Sequence, residues 1–92
     1  MKNSLQTAKS ILNLIGNTPL IKIDKVVKNF TGTYYAKWEA ANPGHSNKDR
    51  IALFIIEEAE RKGLLQNDSV IIETTSGNTG FSLAMVSLIK GY

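Results

Sequence analysis

The sequence of 92 residues contains no cysteine, only two prolines and a single histidine. The lack of cysteine excludes disulfide bonds, thiolate metal sites and a thiol nucleophile. A single histidine without any cysteine also argues against a transition-metal centre, because such sites draw most of their ligands from these two residue types. No metal site is therefore expected, and the candidate chemistry is that of hydroxyl, amide and amine groups.

Long apolar runs and strong charge are missing as well. No run of about eighteen apolar residues occurs, and the polar N-terminus lacks the apolar segment of a signal peptide, so we expect a cytoplasmic protein without a membrane partner. Eleven basic and eight acidic residues give a net charge of +3, with no run of more than two like charges. Because this excess is small and dispersed, no nucleic-acid partner is expected. The length and the 42% hydrophobic content fit one ordinary domain.

Changes in apolar period along the chain predict mixed α/β structure. Ser10 is suited to cap a short helix that Gly16 would end. Residues 20–23 and 33–39 are rich in β-branched and aromatic side chains, which favour strands. We expect these two segments to pair as an antiparallel hairpin with a long connection.

The second half of the chain predicts alternating helices and strands. Ser46 suits a helix N-cap, with Asp49 three residues later in the place of a capping box, and the apolar face that follows indicates a helix as far as Gly63. Residues 69–73 form a continuous apolar run typical of a strand covered on both faces, and residues 81–89 predict a second helix. The order predicts a right-handed parallel strand-helix-strand-helix unit after the hairpin.

The loop between that strand and the second helix is the strongest candidate site. Glycines let backbone amides approach a ligand, and the free N–H groups and positive dipole end of the following helix favour an anion. Hydroxyl groups add neutral donors, so the loop suits a carboxylate or a phosphate. An ordinary helix cap uses the same residue types, and composition alone supports both interpretations equally. The segment reads Thr74-Thr75-Ser76-Gly77-Asn78-Thr79-Gly80.

Lys48 is the second candidate. It falls in the first turn of the predicted helix, where the helix dipole opposes its charge by roughly 0.3 to 1 kcal/mol. A lysine held as the free amine can attack a carbonyl group to form a Schiff base and can later carry a proton. The alternative is an ordinary solvated lysine, which is the commoner role.

Taken together, three segments resemble the cysteine synthase and cystathionine β-synthase family of pyridoxal-phosphate (PLP) enzymes, which have the tryptophan-synthase-β-like fold of type II. The segments are Ile15-Gly16-Asn17-Thr18-Pro19-Leu20, Asn42-Pro43-Gly44-His45-Ser46-Asn47-Lys48-Asp49-Arg50 and Thr75-Ser76-Gly77-Asn78-Thr79-Gly80. The resemblance runs from about Ser10 onward. It implies an α/β fold and the N-terminal part of a two-domain enzyme, with residues 1–40 as a hairpin region and residues 41–92 as the unit that carries both loops.

The resemblance also implies roles for individual residues. Lys48 would be the lysine in Schiff-base linkage to PLP and the proton carrier at the substrate α-carbon, and Asn78 would contact the 3′-oxygen of the cofactor ring. The implied reaction replaces the β-substituent of a serine derivative such as O-acetylserine by way of an aminoacrylate, and a homodimer is implied for the full-length enzyme. The substrate α-carboxylate would be held by Thr75, Ser76, Gly77 and Thr79.

The sequence departs from the family pattern at two loop positions. Asn47 stands where valine is common and Thr74 where proline is common, so cysteine is not specified as the product. In the family, the glycine-rich loop that binds the PLP phosphate lies further along the chain, and no second such loop follows Gly80. We therefore expect little activity from these 92 residues alone. The alternative is a stand-alone module that binds an anion or amino acid, or that pairs with a partner through exposed strands.

Overall fold

The computed structural model describes residues 6–92, so residues 1–5 of the predicted hairpin region lie outside the described part. Its regular elements are strands β1 (Leu20–Ile23) and β2 (Tyr34–Lys37) and helices α1 (Lys48–Arg61) and α2 (Asn78–Lys90). Short 3₁₀ turns occupy Ile11–Leu14, Lys25–Val27 and Glu39–Ala41.

The hairpin is confirmed. β1 and β2 pair antiparallel, with Leu20 opposite Lys37 and Ile23 opposite Tyr34. The long connection contains the 3₁₀ turn Lys25–Val27. Immediately after β2, the backbone N–H of Trp38 donates to the carbonyl of Pro19 at 3.0 Å, which extends the contact beyond the strands.

The predicted N-terminal helix is a single 3₁₀ turn, Ile11–Leu14. Ser10 caps it as expected, because its hydroxyl accepts from the backbone N–H of Leu12 at 3.2 Å while its own N–H donates to the side chain of Asn13 at 3.0 Å. Only five residues separate Ser10 from Gly16, whose φ is +87°. A segment this short favours the tighter turn over an α-helix, which needs more residues to offset the cost of nucleation.

The two α-helices lie side by side and run in the same direction. Near their first residues, the Ser82 hydroxyl donates to Asp49 at 2.6 Å. Near their last residues, Lys90 and the hydroxyl of Tyr92 donate to Glu60 at 2.7 and 3.0 Å. The first turns of the two helices contact each other, and so do their last turns, which shows that the helices are parallel. The buried apolar side chains between the helices are Ala52, Ile56, Leu83 and Val86.

The strand predicted at residues 69–73 is not formed among the described residues. A strand requires hydrogen bonds to a neighbouring strand, and within residues 6–92 the only sheet is the β1–β2 pair. Val70 and Ile72 are accordingly 78% and 88% exposed. The segment still returns the chain from the end of α1 to the start of α2. The predicted α/β class is confirmed, whereas the strand between the two helices, and with it the predicted parallel crossover, is not formed among the described residues.

The helix starts also differ from the predictions. α1 begins at Lys48 with Asn47 as N-cap, and the Ser46 hydroxyl accepts from the Lys48 N–H at 3.2 Å. The expected capping box is wrong, because the Asp49 carboxylate is used by the Gly44 N–H and by Ser82. α2 begins at Asn78, three residues before the predicted start. No helix in residues 6–92 is long and apolar enough to cross a membrane.

Candidate active site

The parallel packing places the first residues of both helices at one end of the pair. Lys48 is the first residue of α1 and Asn78 the first of α2. The Asp49–Ser82 hydrogen bond joins the helices close to these starts. The structure therefore brings the two predicted loops, which are about thirty residues apart in the sequence, to the same end of the helix pair.

Thr75 organises the loop before α2. Its hydroxyl oxygen accepts from the backbone N–H groups of Gly77 and Gly80 at 3.2 and 3.0 Å, so it caps the helix from within the loop. Because that oxygen acts as the acceptor, the hydroxyl hydrogen stays available to a ligand. A Cβ at Gly80 would lie 2.2 Å from the Thr75 methyl group, so this close approach requires glycine. Gly77, whose N–H is already bonded, contributes open space rather than a donor.

The start of α2 presents donors without internal acceptors. Within residues 6–92, the backbone N–H groups of Asn78 and Thr79 and the side chains of Ser76 and Asn78 make no hydrogen bond. Residues 74–78 are all exposed. These donors lie at the positive end of the helix dipole, which favours a negatively charged group. The loop therefore presents the donors that an anion site requires, and its assignment to the substrate carboxylate stays a prediction.

Lys48 is partly buried, and its ammonium group makes no hydrogen bond or ion pair in the part of the chain that the structure describes. A primary amine without a carboxylate partner is suited to covalent chemistry with an aldehyde. The Lys48 amine is of the type that bonds to the aldehyde of PLP, and the Asn78 amide is of the type that donates to its ring oxygen, and both roles stay predictions.

An ion pair that the sequence analysis missed supports the Lys48 turn. Nε and Nη2 of Arg50 both contact the Glu39 carboxylate, the second at 3.1 Å. The same Nη2 donates to the Gly16 carbonyl at 2.9 Å, and the Thr18 hydroxyl donates to Glu39 at 2.5 Å. The hydrogen bond from Arg50, followed by that from Thr18, lowers the pKa of Glu39 from 4.5 to about 2. Arg50 therefore ties the first motif segment to α1.

Asn42 is the second residue that the sequence analysis missed. Its side chain is 1% exposed and accepts from the Gly16 N–H at 2.8 Å. Its amide also donates to the backbone carbonyls of Glu39 and Ser46 at 3.0 and 2.9 Å. In the sequence, Glu39 is only the last residue of the predicted strand at residues 33–39, and Asn42 is only the first residue of a motif segment. Their partners lie up to 26 residues away, and such contacts leave no periodic signal.

Comparison with known proteins gives concordant relatives. A family model described as "Pyridoxal-phosphate dependent enzyme" matches residues 11–92. The cysteine synthase of a Flavobacterium species is 55% identical over 84 residues, which make up 91% of this chain and 27% of that protein. The cystathionine beta-synthase of Apis mellifera is 52% identical over 84 residues, or 89% of this chain and 17% of that protein.

Solved structures give the same picture. A hydrogen sulfide-producing enzyme from Fusobacterium nucleatum matches with a TM-score of 0.86 and 55% identity, covering 95% of this chain and 28% of that one. O-acetylserine sulfhydrylase isoform 3 from Entamoeba histolytica matches with a TM-score of 0.89 and 35% identity, covering 100% of this chain and 29% of that one. The chain thus spans less than a third of the length of each of these relatives.

Proposed function

Since this chain belongs to the pyridoxal-phosphate dependent enzyme family, we propose that it supplies the N-terminal part of an enzyme that replaces the β-substituent of a serine derivative. O-acetylserine is the proposed donor and sulfide the proposed acceptor. The names of the similar proteins, which include cysteine synthase and O-acetylserine sulfhydrylase, support this choice. The proposal is carried by one observation: Lys48, which has no partner within residues 6–92, lies at the same end of the helix pair as an exposed set of hydrogen-bond donors.

Lys48 and Asn78 are proposed to hold PLP, the cofactor of this family. The Lys48 amine would hold its aldehyde carbon, and the Asn78 side chain would donate to its ring oxygen. When bound, PLP supplies an electron sink for the electron pair left at the substrate α-carbon after a proton leaves. Lys48 would have a second task, because the substrate amine displaces it from the aldehyde carbon and the freed Lys48 amine would then act as the general base that holds that proton.

The loop after residue 74 is proposed to orient the substrate. The free N–H groups of Asn78 and Thr79 and the hydroxyl groups of Ser76 and Thr75 are suited to hold the α-carboxylate. The positive end of α2 balances the carboxylate charge, so binding needs no arginine or lysine at this position. Holding the carboxylate fixes the direction in which the α-hydrogen points, which lets a single base remove it.

The remaining proposals concern the whole enzyme, which we expect to be a two-domain, cytoplasmic homodimer. Apolar side chains are widely exposed in the described residues, with Phe54, Leu88 and Ile72 at 68%, 78% and 88%. Extensive exposed apolar surface often marks an interface with further protein. This exposure favours the enzyme over a stand-alone binding module of 92 residues.

The decisive experiment is spectroscopic. The full-length protein loaded with PLP should absorb near the visible edge through its lysine linkage, and Lys48→Ala should abolish that band. Lys62→Ala is the matched control, because Lys62 lies just past the opposite end of α1. It should keep the band. A band that persists in Lys48→Ala would show that another lysine carries the cofactor and would refute the proposal.

A further inference from the structure

Asp49 is a buried carboxylate that belongs to neither the proposed cofactor ligands nor the proposed substrate ligands. Asp49 and Ser82 are both 0% exposed. One Asp49 oxygen accepts from the Gly44 N–H at 2.5 Å and the other from the Ser82 hydroxyl at 2.6 Å. Hydrogen bonds to a charged, buried acceptor are short and strong, and losing one leaves a costly unsatisfied group.

The position of this carboxylate in the fold links it to both halves of the site. Asp49 directly follows Lys48, and Gly44 belongs to the turn that leads into α1. Ser82 lies one helical turn after Asn78 on α2. The approach to Gly44 is so close that a Cβ there would lie 2.1 Å from the Asp49 side chain. The Asp49 carboxylate is therefore the point at which the lysine turn and the start of α2 are tied together.

We propose that Asp49 and Ser82 are positioning residues, which fix Lys48 relative to the loop that binds the substrate carboxylate. The inference rests on the proposed function, since it assumes that Lys48 removes a proton from a substrate held by that loop. Proton transfer requires the base to lie within hydrogen-bond reach of the reacting atom. A displacement of about 1 Å caused by a remote substitution can lower the rate by about a hundredfold.

The chain offers a matched pair of serines for the test. Ser82 and Ser87 are both buried on α2, but within residues 6–92 the Ser87 hydroxyl has no hydrogen-bond partner. In the full-length, PLP-loaded protein assayed with O-acetylserine and sulfide, Ser82→Ala should keep the visible-edge band and lower kcat by about tenfold or more. KM should change less than kcat. Ser87→Ala should leave both constants within about twofold of the wild type.

Two substitutions of Asp49 test whether activity follows the hydrogen bonds to Gly44 and Ser82. In Asp49→Asn, the amide oxygen can still accept from the Gly44 N–H, and the amide nitrogen can donate to the Ser82 hydroxyl, which then acts as acceptor. This variant should keep more of the wild-type kcat than Asp49→Ala, in which both bonds are lost. Ser82→Ala, a mild change in a helix, keeps the test valid if the Asp49 variants fold poorly.

Failure of the inference and failure of the proposed function give different results. If Ser82→Ala lowers only the melting temperature and keeps kcat within twofold at a temperature where it is folded, the bond is purely structural and the inference is overturned. Loss of the band in Ser82→Ala alone would overturn it too, since the bond would then serve cofactor binding. Absence of the band in the wild type, or its retention in Lys48→Ala, would instead contradict the proposed function.

Discussion

The hairpin and the helix pair are stabilised in different ways. No side chain of β1 or β2 is buried, so the hairpin depends on its backbone ladder. The helix pair contains every buried apolar side chain of residues 6–92. The two regions are joined by a polar network, in which Arg50 of α1 and Asn42 both bond to Gly16 and Glu39, which flank the hairpin. The difference shows that burial organises the helices, whereas specific hydrogen bonds determine where the Lys48 turn lies.

The largest expected effect is the difference in stability loss between truncating a buried side chain of the helix pair and truncating an exposed side chain of the hairpin. Ile56→Ala should lower the free energy of unfolding by about 3 kcal/mol, because the side chain is 2% exposed and truncation leaves a cavity between the helices. Ile21→Ala in β1, where the side chain is 46% exposed, should cost less than about 1 kcal/mol. Urea denaturation of the full-length protein measures both. Equal losses would show that the hairpin is buried to a similar degree in the complete protein.

The second prediction concerns the polar network that joins the hairpin to the helix pair. Asn42→Ala should cost about 2 kcal/mol, because it leaves the Gly16 N–H and the Ser46 carbonyl without their side-chain partner. Asn29→Ala is the control, since Asn29 is exposed in the hairpin connection and should change stability by less than about 0.5 kcal/mol. Denaturation midpoints that shift equally in both variants would contradict the structural role of Asn42.

The third prediction uses pH to test the Glu39–Arg50 ion pair of the same polar network. The pKa of Glu39 is lowered from 4.5 to about 2 by its bond with Arg50, so the charged carboxylate is favoured in the folded state. This contribution to stability is complete above about pH 4.5 and is lost as the pH falls towards 2. Glu39→Gln should therefore be less stable than the wild type at pH 7, and the difference should shrink between pH 4.5 and 2.

The control for this titration is Asp68→Asn, which removes an exposed negative charge near the turn after α1. Its stability difference from the wild type should change little over the same pH range, and melting temperatures at a series of pH values would measure both variants. A Glu39→Gln difference that stays constant down to about pH 2.5 would contradict the ion pair.

The smallest expected effect concerns the turn before Lys48. His45 has a φ of +64°, a left-handed conformation that costs about 1 kcal/mol or more for a residue with a Cβ. His45→Gly should remove this strain and raise stability by about 0.5 kcal/mol, after allowance for the greater chain entropy of glycine. His45→Ala, which retains the strain, should give no such gain. A lower melting temperature for His45→Gly would indicate that the contact of His45 Nδ1 with the Ala40 carbonyl, at 3.4 Å, outweighs the strain.

The sequence predicts best where the signal is local. β1 coincides with the predicted strand at residues 20–23, and β2 lies within the predicted residues 33–39. Gly63 follows α1 as expected, with a φ of +71°, and Gly91 follows α2 in the same way, with a φ of +89°. Alternation of side-chain types and helix-stop residues are read from neighbouring positions, so they need no knowledge of the rest of the fold.

Prediction fails where a residue's partner is remote. The run at residues 69–73 has the composition of a strand, but a strand forms only beside another. Asp49 has the spacing of a capping box, yet a serine 33 residues away competes for its carboxylate. For the site, Lys48 and the loop at residues 75–79 are recognisable from their motifs and lie at one end of the helix pair. Their assigned roles remain predictions, and the supporting contacts of Glu39 and Asn42 had to be seen in three dimensions.

The bonding of the helix pair at both ends also limits how the site can move. Ser82 holds one end through Asp49, and Lys90 and Tyr92 hold the other through Glu60. Because hydrogen bonds join α1 and α2 at both ends, they oppose any change in the angle between the two helices. Adjustment to an incoming ligand is thereby left to the exposed residues 74–77 and to rotation of the Lys48 side chain. We therefore expect the helices to keep their relative position when a ligand binds, and the loop at residues 74–77 to change conformation.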